Sequence, residues 1–437
     1  MRILFEHAHI LTMDDAYTEI RDGWLLTDGG RIAALGAGSC LEECDERIDA
    51  RGGILLPGFV NTHCHASMVP FRTMGDDCAD RLRRFLFPLE NEAMTRDLVY
   101  LGAKHGIAEM LLAGVTTFVD MYYFEDEVAR ACREMGMRGY LGETIIGQPT
   151  CDSEAPYGGF ALAEEMLERY RDDEYVHPIL APHATTTCDE ASLRRAHELA
   201  VRYDTLMTLH ASEMDYEMTY FAERGQTPTG FLNDIGVLDR HLLAVHCIHM
   251  TQADVEMMAA RGASVAHCIA SNTKAGKGVA PVRAMRDAGI AVGLGTDGPS
   301  SGNTLNMFDQ MRLFANFHKT EERDRGLFPA KEIVALATRG GARSLGGEGE
   351  FGRLMPGMRA DMVLVSVEGV NMFPVYNPYS ALVYSANASN VDTVMAGGEI
   401  RVRKGKMTGV DLPALRAALT AQMQPFLAAA SRYADII

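Results

Sequence analysis

The chain has 437 residues, of which 47% are hydrophobic and 23% charged, a balance that supports a large buried core. Its formal net charge of −18, without any Lys/Arg-rich run, excludes the basic footprint that non-specific nucleic-acid binding requires. The N-terminus lacks the apolar core of a signal peptide, no stretch of about 18 uncharged apolar residues follows, and the nine scattered cysteines do not resemble a secreted disulfide pattern. We therefore expect a cytoplasmic protein that acts on a small molecule and binds neither nucleic acid nor membrane.

The two ends of the chain are predicted to be rich in β structure. Short apolar segments fill the first 56 residues, and residues 28–30 have the Asp-Gly-Gly composition of a hairpin turn. Strand and turn patterns return near the C-terminus at 352–357, 360–365 and 391–402. We expect residues 1–56 and 356–437 to form one small β-sandwich-like domain built from both chain termini, closed by an amphipathic helix over roughly 412–433.

Between these ends, short apolar segments alternate with amphipathic segments that are long enough for crossover helices. The predicted strands are 54–65, 115–122, 138–146, 178–183, 205–210, 242–246, 264–267 and 291–297. The predicted helices include 96–112, 125–135, 161–171, 190–203, 252–261 and 282–288. Eight strand–helix repeats with nearly continuous apolar strands are the signature of a (β/α)8 TIM barrel, so we predict an α/β catalytic barrel over residues 57–355.

Several of the predicted strands end in a side chain that can bind a metal ion. His63 and His65 end the first strand and point to the same side of it, since they are two residues apart. His210 ends the fifth strand, His246 the sixth and Asp297 the eighth, and the C-terminal strand ends of such a barrel meet at one mouth. We predict that His63, His65, His210 and Asp297 hold one divalent metal ion. Imidazoles with one carboxylate suit zinc best, and iron is possible.

Three of these neighbouring residues are predicted to be catalytic. Glu213 follows the ligand His210 by three residues and is not needed for coordination, which is the position of a proton shuttle. His246 is then free to orient the attacking water. Asp297 can contact the metal and also take a proton from that water.

Two other segments resemble phosphate-binding loops. Residues 293–298 match GxGxxG after a strand, but Pro299 follows where a phosphate-binding helix would begin, and no βαβ dinucleotide unit is evident. Residues 275–278 lack the leading glycine of a P-loop and the Ser/Thr that should follow Lys277. Neither segment predicts a nucleotide-phosphate site.

Taken together, the sequence resembles the amidohydrolase superfamily, in its branch of aminohydrolases that act on heterocycles. The blocks that carry the resemblance are 57–65, 181–183, 210–213, 246–249, 267–272 and 295–298, and the tail at 374–380 and 382–384 is similar to the S-adenosylhomocysteine/methylthioadenosine deaminases and their chlorohydrolase relatives. The resemblance implies a mononuclear metal site with the four ligands named above, and a Glu213 that protonates a ring nitrogen of the substrate. It also implies that Glu90 and His183 contact the substrate and that Ser301 supports Asp297 or the water.

One departure from the family bears on the substrate. The nucleoside group carries arginines after the third strand that meet the ribose or the amino-acid tail, and this sequence offers Glu143 and Phe160 instead. We therefore expect a neutral adenine nucleoside, such as methylthioadenosine or adenosine, rather than a carboxylate-tailed one such as S-adenosylhomocysteine.

The predicted reaction is metal-dependent hydrolytic deamination, which releases ammonia from an amino-substituted N-heterocycle. A guanine-type base, a pterin, or an aminotriazine or chlorotriazine is an alternative substrate, and dechlorination would use the same water with a different leaving group. A non-catalytic barrel that keeps its metal for structure or ligand binding is disfavoured because the ligands and Glu213 are both present. The predicted partner is a small heterocyclic molecule, and a homo-oligomer is left open.

Overall fold

The computed structural model describes residues 1–435. Its strands are β1 (Arg2–Leu11), β2 (Glu19–Asp28), β3 (Arg31–Ala37), β4 (Glu46–Asp49), β5 (Ile54–Pro57), β6 (Phe59–Cys64), β7 (Val115–Tyr122), β8 (Arg138–Ile145), β9 (Val176–Pro178), β10 (Ala181–Pro182), β11 (Met207–Ala211), β12 (Leu242–His246), β13 (Ser264–His267), β14 (Val292–Leu294), β15 (Met362–Val365), β16 (Val391–Ala396), β17 (Glu399–Arg403) and β18 (Lys406–Met407).

The α-helices are α1 (Phe87–Ala93), α2 (Arg96–Leu112), α3 (Glu125–Met135), α4 (Gly159–Arg169), α5 (Glu190–Tyr203), α6 (Asp215–Ala222), α7 (Pro228–Asp234), α8 (Gln252–Arg261), α9 (Ile269–Lys274), α10 (Val282–Asp287), α11 (Met307–Glu321), α12 (Ala330–Ala335), α13 (Gly341–Ser344), α14 (Pro378–Ser380) and α15 (Leu412–Ala430). Short 3₁₀ or π segments occupy Ala66–Phe71, Leu82–Leu86, Leu336–Gly340, Val370–Met372, Ala381–Ser385, Ala388–Asn390 and Ser431–Tyr433. Across the described residues, none of these helices is both long and apolar enough to cross a membrane.

Strands from both ends of the chain share one sheet. Its order is β18-β17-β16-β15-β5-β1-β2-β3, with β4 beside β1, and the two chain ends meet where β5 pairs antiparallel with β15. Ile3 in β1 and Leu25 in β2 lie on neighbouring strands, Met395 lies in β16 on the other side of β5 and β15, and all three belong to one buried cluster. Because large sheets twist, we call this one the curved sheet, and its sandwich-like layering stays a prediction.

The middle of the chain forms parallel sheets. β6, β7 and β8 pair in parallel with β9 and β10 at the edge of β8, and β11 to β14 form a second parallel set. Parallel bridges from Leu180 to Met207 and from Ala184 to His210 connect the two sets. On the other side, the N–H of Asp297 donates to the carbonyl of His63 at 3.0 Å. The predicted mixed α/β fold with parallel strands is confirmed.

Helix boundaries follow from local capping signals in the sequence. α2, α3, α5 and α8 begin and end where the sequence predicted. The side chain of Thr95 accepts a hydrogen bond from the N–H of Leu98 at the start of α2, and Thr251 with Asp254 forms a capping box at the start of α8. α3 ends at Gly136, whose φ of +67° permits the left-handed turn.

Several predicted strands differ from the structure, and 291–297 is shortened to Val292–Leu294. The run 54–65 is divided at Gly58: β5 joins the curved sheet and β6 begins the parallel one. A Cβ on Gly58 would lie 2.2 Å from Oγ1 of Thr116, so the division requires glycine. The run 391–402 is a hairpin of β16 and β17, and the run 178–183 is reduced to the short strands β9 and β10.

Candidate active site

The four predicted metal ligands lie together at the C-terminal ends of the parallel strands. His63 lies in β6 just before its last residue, Cys64, His65 follows that strand, His210 lies in β11, and Asp297 follows β14. The Nε2 atoms of His63 and His210 are 3.3 Å apart, and Nε2 of His65 is 3.4 Å from Oδ1 of Asp297. Residues that are far apart in the sequence thus bring three imidazoles and one carboxylate to one place.

Backbone carbonyls orient two of these imidazoles. Nδ1 of His65 lies 2.5 Å from the carbonyl oxygen of Met121, and Nδ1 of His210 lies 2.6 Å from that of His183. Because a carbonyl oxygen only accepts, each Nδ1 must carry its hydrogen, and each Nε2 lone pair is directed toward the cluster. A metal-binding histidine usually donates its other ring N–H to a carbonyl or carboxylate in this way.

The charges in the cluster also fit a divalent cation. Burial lowers the pKa of His63 well below its usual range, and His65 and His210 lower it further; burial likewise lowers the pKa of His210. Burial alone would raise the pKa of Asp297, but His65, His246 and His63 lower it far below its usual range. Neutral imidazoles beside a carboxylate are the deprotonated donors that a divalent metal requires.

Glu213 lies beside this cluster as an ionised carboxylate. Its Oε1 is 3.5 Å from Nε2 of His246 and accepts a hydrogen bond from the ammonium of Lys277. Burial alone would raise the pKa of Glu213, but the charges of His246, Lys277 and His210 lower it to about 2. The N–H of Glu213 donates to Oε2 of Glu217 at 2.8 Å, which holds the loop. The carboxylate is therefore ionised at neutral pH.

Lys277 belongs to the site although its sequence context indicates only a failed P-loop match. No strand-end signal marks it, because α9 separates it from β13.

Several residues of the site have a strained backbone. Ser212, His246 and Asp297 have φ values of +52°, +69° and +58°, in the left-handed region that side chains other than glycine rarely adopt. Such conformations cost on the order of 1–3 kcal/mol each and persist only where the surroundings fix them. Here the N–H of Ser212 donates to Oε1 of Glu217 at 3.0 Å, and the N–H of Asp297 donates to His63. Strain therefore coincides with the residues that carry or flank the reactive side chains.

The cluster opens into a cavity of about 850 Å³ that Glu90, His183 and Ser301 also line. Oε1 of Glu90 accepts a hydrogen bond from the Tyr122 hydroxyl at 2.8 Å, and burial raises the pKa of Glu90 to about 8. Nδ1 of His183 is 2.9 Å from Oγ1 of Thr187, and burial lowers the pKa of His183 well below its usual range. Neutral hydrogen-bonding groups thus face the cavity at Glu90 and His183.

Ser301 borders the cavity. Its hydroxyl lies 3.4 Å from Nη2 of Arg81, which donates to it, and Arg81 also donates to the carbonyl of Ser300. Support of Asp297 or of the water by Ser301 stays a prediction.

Glu143 and Phe160 do not take the place of the family's arginines, and that expectation is wrong. Glu143 is 1% exposed, and its Oε2 accepts a hydrogen bond from the N–H of Glu125 at 2.9 Å. Phe160 is buried in the main core. The cavity is lined instead by the cationic side chains of Arg81, Arg83 and Lys274. The argument against a carboxylate-tailed substrate therefore loses its basis.

A family model described as the amidohydrolase family matches residues 54–401, which include every residue of the cluster. The chain belongs to the amidohydrolase family. The resemblance found in the sequence is confirmed, as is the prediction of a hydrolase.

This amidohydrolase is 39% identical over 400 residues to a protein of Syntrophus aciditrophicus named 5-methylthioadenosine/S-adenosylhomocysteine deaminase 1, with 90% of each chain covered. Among solved structures it resembles a zinc-bound adenosine deaminase of Xanthomonas campestris, with a TM-score of 0.94, 30% identity and 98% of each chain covered. It also resembles a zinc complex of atrazine chlorohydrolase from Arthrobacter aurescens, with a TM-score of 0.90, 25% identity, and 96% of this chain and 100% of the other covered.

Proposed function

We propose that this amidohydrolase is a zinc-dependent hydrolytic deaminase of adenine nucleosides, with methylthioadenosine and adenosine as the first candidates. The observation that carries the proposal is the placement of an ionised Glu213 beside the cluster of His63, His210 and Asp297, facing one cavity. The names of the similar proteins from Syntrophus aciditrophicus and Xanthomonas campestris support the choice of an adenine nucleoside.

We infer that the parallel strands close into a (β/α)8 barrel over residues 57–355. The bridges between β10 and β11 and the hydrogen bond from Asp297 to His63 support closure, since they connect the two parallel sets on both sides. The shared curved sheet supports a second unit of residues 1–56 and 356–437. In this architecture the cluster lies at the barrel face where active sites are found.

His63, His65, His210 and Asp297 would hold the metal ion. A divalent zinc bound by these residues would lower the pKa of a water molecule and supply a hydroxide near neutral pH. His246 lies against Glu213 and stacks on the ring of His210, with centroids 5.4 Å apart, so it is placed to orient the attacking water.

The proton path follows from the two carboxylates. Glu213 accepts one proton of the water as its oxygen forms a bond to the amino-bearing ring carbon, and it passes that proton to the adjacent ring nitrogen. Asp297 takes the proton of the resulting hydroxyl group and delivers it to the amino group. The carbon–nitrogen bond then breaks, ammonia leaves, and both carboxylates return to their ionised state. The product carries a carbonyl oxygen on the ring carbon that held the amino group.

The cavity suggests how the rest of a nucleoside is held. Glu90 and His183 lie at positions where the resemblance implies contacts with the substrate, and both offer neutral hydrogen-bonding groups. Arg83 lines the same cavity with its guanidinium 4.2 Å from the ring centre of Tyr216. Nucleosides with an anionic tail therefore belong in any substrate test, together with neutral ones.

Hydrolytic dechlorination of a triazine is the second candidate, because the chlorohydrolase from Arthrobacter aurescens has nearly the same fold. The test is a screen of the zinc-loaded protein against methylthioadenosine, adenosine, S-adenosylhomocysteine, guanine, a pterin, an aminotriazine and a chlorotriazine. Release of ammonia from an adenine nucleoside supports the proposal, and release of chloride alone supports the second candidate. A protein that holds zinc and hydrolyses none of these would contradict both.

A further inference from the structure

Lys277 lies in a short loop that follows α9 and borders the cavity. Gly276 and Gly278 flank it with φ values of +67° and +118°, so the backbone reverses on both sides of the lysine. The N–H of Lys277 donates to the carbonyl of Asn272 at 2.9 Å. The loop is therefore anchored at the residue that carries the charge.

Asn272 connects this lysine to His246. Its Oδ1 accepts a hydrogen bond from Nδ1 of His246 at 2.8 Å, while its carbonyl holds the backbone of Lys277. One buried residue thus fixes the His246 ring through its side chain and the Lys277 loop through its main chain.

Both groups meet Glu213 on the same oxygen. Nε2 of His246 is 3.5 Å from Oε1 of Glu213, and the ammonium of Lys277 donates to Oε1 as well. A glutamate side chain that is held at one oxygen loses much of its rotational freedom, and its other oxygen takes no part in these two contacts. Oε2 of Glu213 is therefore the atom that can meet the substrate.

We propose that Lys277 is a positioning residue for the deamination: its ammonium holds Oε1 of Glu213 so that Oε2 exchanges protons with the water and the ring nitrogen. This inference rests on the proposed function. Lys277 itself transfers no proton.

The surroundings of Lys277 keep it cationic. Burial lowers the pKa of Lys277, but the charge of Glu213 and the hydrogen bond to it, with further contributions from Asp297 and Tyr216, raise that pKa above its usual value. A lysine is a point charge on a flexible stem, so its ammonium can follow Glu213 through the proton transfers.

The test compares Lys277→Met, Lys277→Arg and Lys104→Met in the zinc-loaded protein. Lys104 is a matched control, since it pairs with Glu134 at 2.8 Å and is 21% exposed against 24% for Lys277, but it lies on α2 outside the cavity. General acid–base groups contribute about 10²–10⁴-fold to rates, so loss of positioning in Lys277→Met should lower kcat about 10- to 100-fold, with KM within about threefold. Lys277→Arg should recover about tenfold of that loss, and Lys104→Met should keep kcat and zinc content unchanged.

A double-mutant cycle with Glu213→Gln separates positioning from a structural role. If Lys277 acts through Glu213, adding Lys277→Met to Glu213→Gln should lower kcat by no more than about twofold. The acid limb of the kcat profile should also move to higher pH in Lys277→Met, because the carboxylate loses a cation that favours its ionised form.

Other outcomes would overturn the inference. A raised KM with unchanged kcat would make Lys277 a substrate-binding residue, a lower zinc content would make it a support of the metal cluster, and additive losses in the cycle would remove the link to Glu213. Absence of turnover by the unmodified zinc-loaded protein overturns the proposed function and this inference with it. Turnover that survives Lys277→Met unchanged overturns this inference alone.

Discussion

The Nε2 atoms of His63 and His210 face each other at 3.3 Å although 147 residues separate the two histidines in the sequence. The Nδ1–H of His210 is committed to a backbone carbonyl, so its Nε2 presents a lone pair to His63. A divalent metal ion held by both nitrogens would fit this arrangement, since imidazole nitrogens bind zinc at about 2.0–2.1 Å.

His210→Asn should remove most of the metal affinity. We expect zinc content after dialysis against a weak chelator to fall from about one ion per chain to well below half. Changes at residues that only hold a metal ligand in place cost about 10–100-fold in affinity, and this change removes a ligand itself. Added zinc should also raise the unfolding temperature of the variant less than that of the unmodified protein. The control is His7→Asn, at an exposed histidine in the curved sheet. Equal zinc content in the two variants would contradict the ligand assignment.

Glu213→Gln should leave the metal in place and remove the proton path. The amide has nearly the same shape but cannot accept and return a proton, so kcat should fall by about 10²–10⁴-fold with unchanged zinc content. Steady-state ammonia release with metal analysis checks both quantities. Glu256→Gln, on the exposed face of α8, is the control. Full activity of Glu213→Gln would exclude Glu213 as the shuttle.

The cluster could be predicted from the sequence because each member ends or directly follows an apolar strand. Strand ends of a parallel sheet lie at one edge, so His63, His210 and Asp297 needed no knowledge of loop conformations to be placed together. Lys277 differs in this respect. Its contact with Glu213 depends on the backbone reversal at Gly276 and Gly278. Because glycine adopts positive and negative φ values about equally well, the sequence alone does not predict this reversal.

Two other predictions were wrong for reasons that lie within short segments. The run 54–65 was predicted as one strand, but the chain passes from one sheet to another at Gly58. Strands that are buried on both sides are continuously apolar, so the two strands could not be told apart by their composition. Glu143 lies near the end of the predicted strand 138–146, but its carboxylate accepts a hydrogen bond from the buried N–H of Glu125. Successive strand residues face opposite sides, so a polar residue at a strand end can equally face away from the mouth.

The cytoplasmic location and a homo-oligomeric state stay predictions.

Glu90 should make stability depend on pH. Burial raises the pKa of this 4% exposed residue from 4.5 to about 8, so between those values the folded protein keeps a proton that the unfolded chain has released. The free energy of unfolding therefore falls as pH rises from about 4.5 to about 8, by an amount on the order of a few kcal/mol. Glu90→Gln cannot ionise and lacks this dependence.

The measurement is the unfolding temperature of Glu90→Gln and of the unmodified protein at a series of pH values. The stability of Glu90→Gln relative to the unmodified protein should rise across that window and level off above about pH 8. The exposed control Glu256→Gln should stay within about 0.5 kcal/mol of the unmodified protein at each pH. A difference that does not change with pH would mean that Glu90 is already ionised in the fold.

Arg138 and Asp361 form a buried ion pair between the parallel strands and the curved sheet. Nη1 of Arg138 in β8 donates to Oδ2 of Asp361 at 2.7 Å, and the two side chains are 4% and 2% exposed. The same nitrogen donates to Oγ1 of Thr117, and Oδ1 of Asp361 accepts from the N–H of Gly397. The Arg138 guanidinium and the Asp361 carboxylate therefore neutralise each other where the two sheets meet.

Arg138→Met should leave the Asp361 carboxylate buried without its counter-charge and lower the free energy of unfolding by about 3–5 kcal/mol. Arg138→Met combined with Asp361→Leu should lose less than the single variant, because two apolar side chains remove the cost of burying an unpaired charge. Arg240→Met is the matched control: Arg240 pairs with Asp204 at the same 2.7 Å, but both side chains are largely exposed, at 69% and 73%, so the change should cost less than about 1 kcal/mol. Urea unfolding of the three variants provides the comparison. If Arg138→Met cost no more than Arg240→Met, the buried pair would not hold the two sheets together, and the curved sheet would have to be secured by its apolar contacts alone.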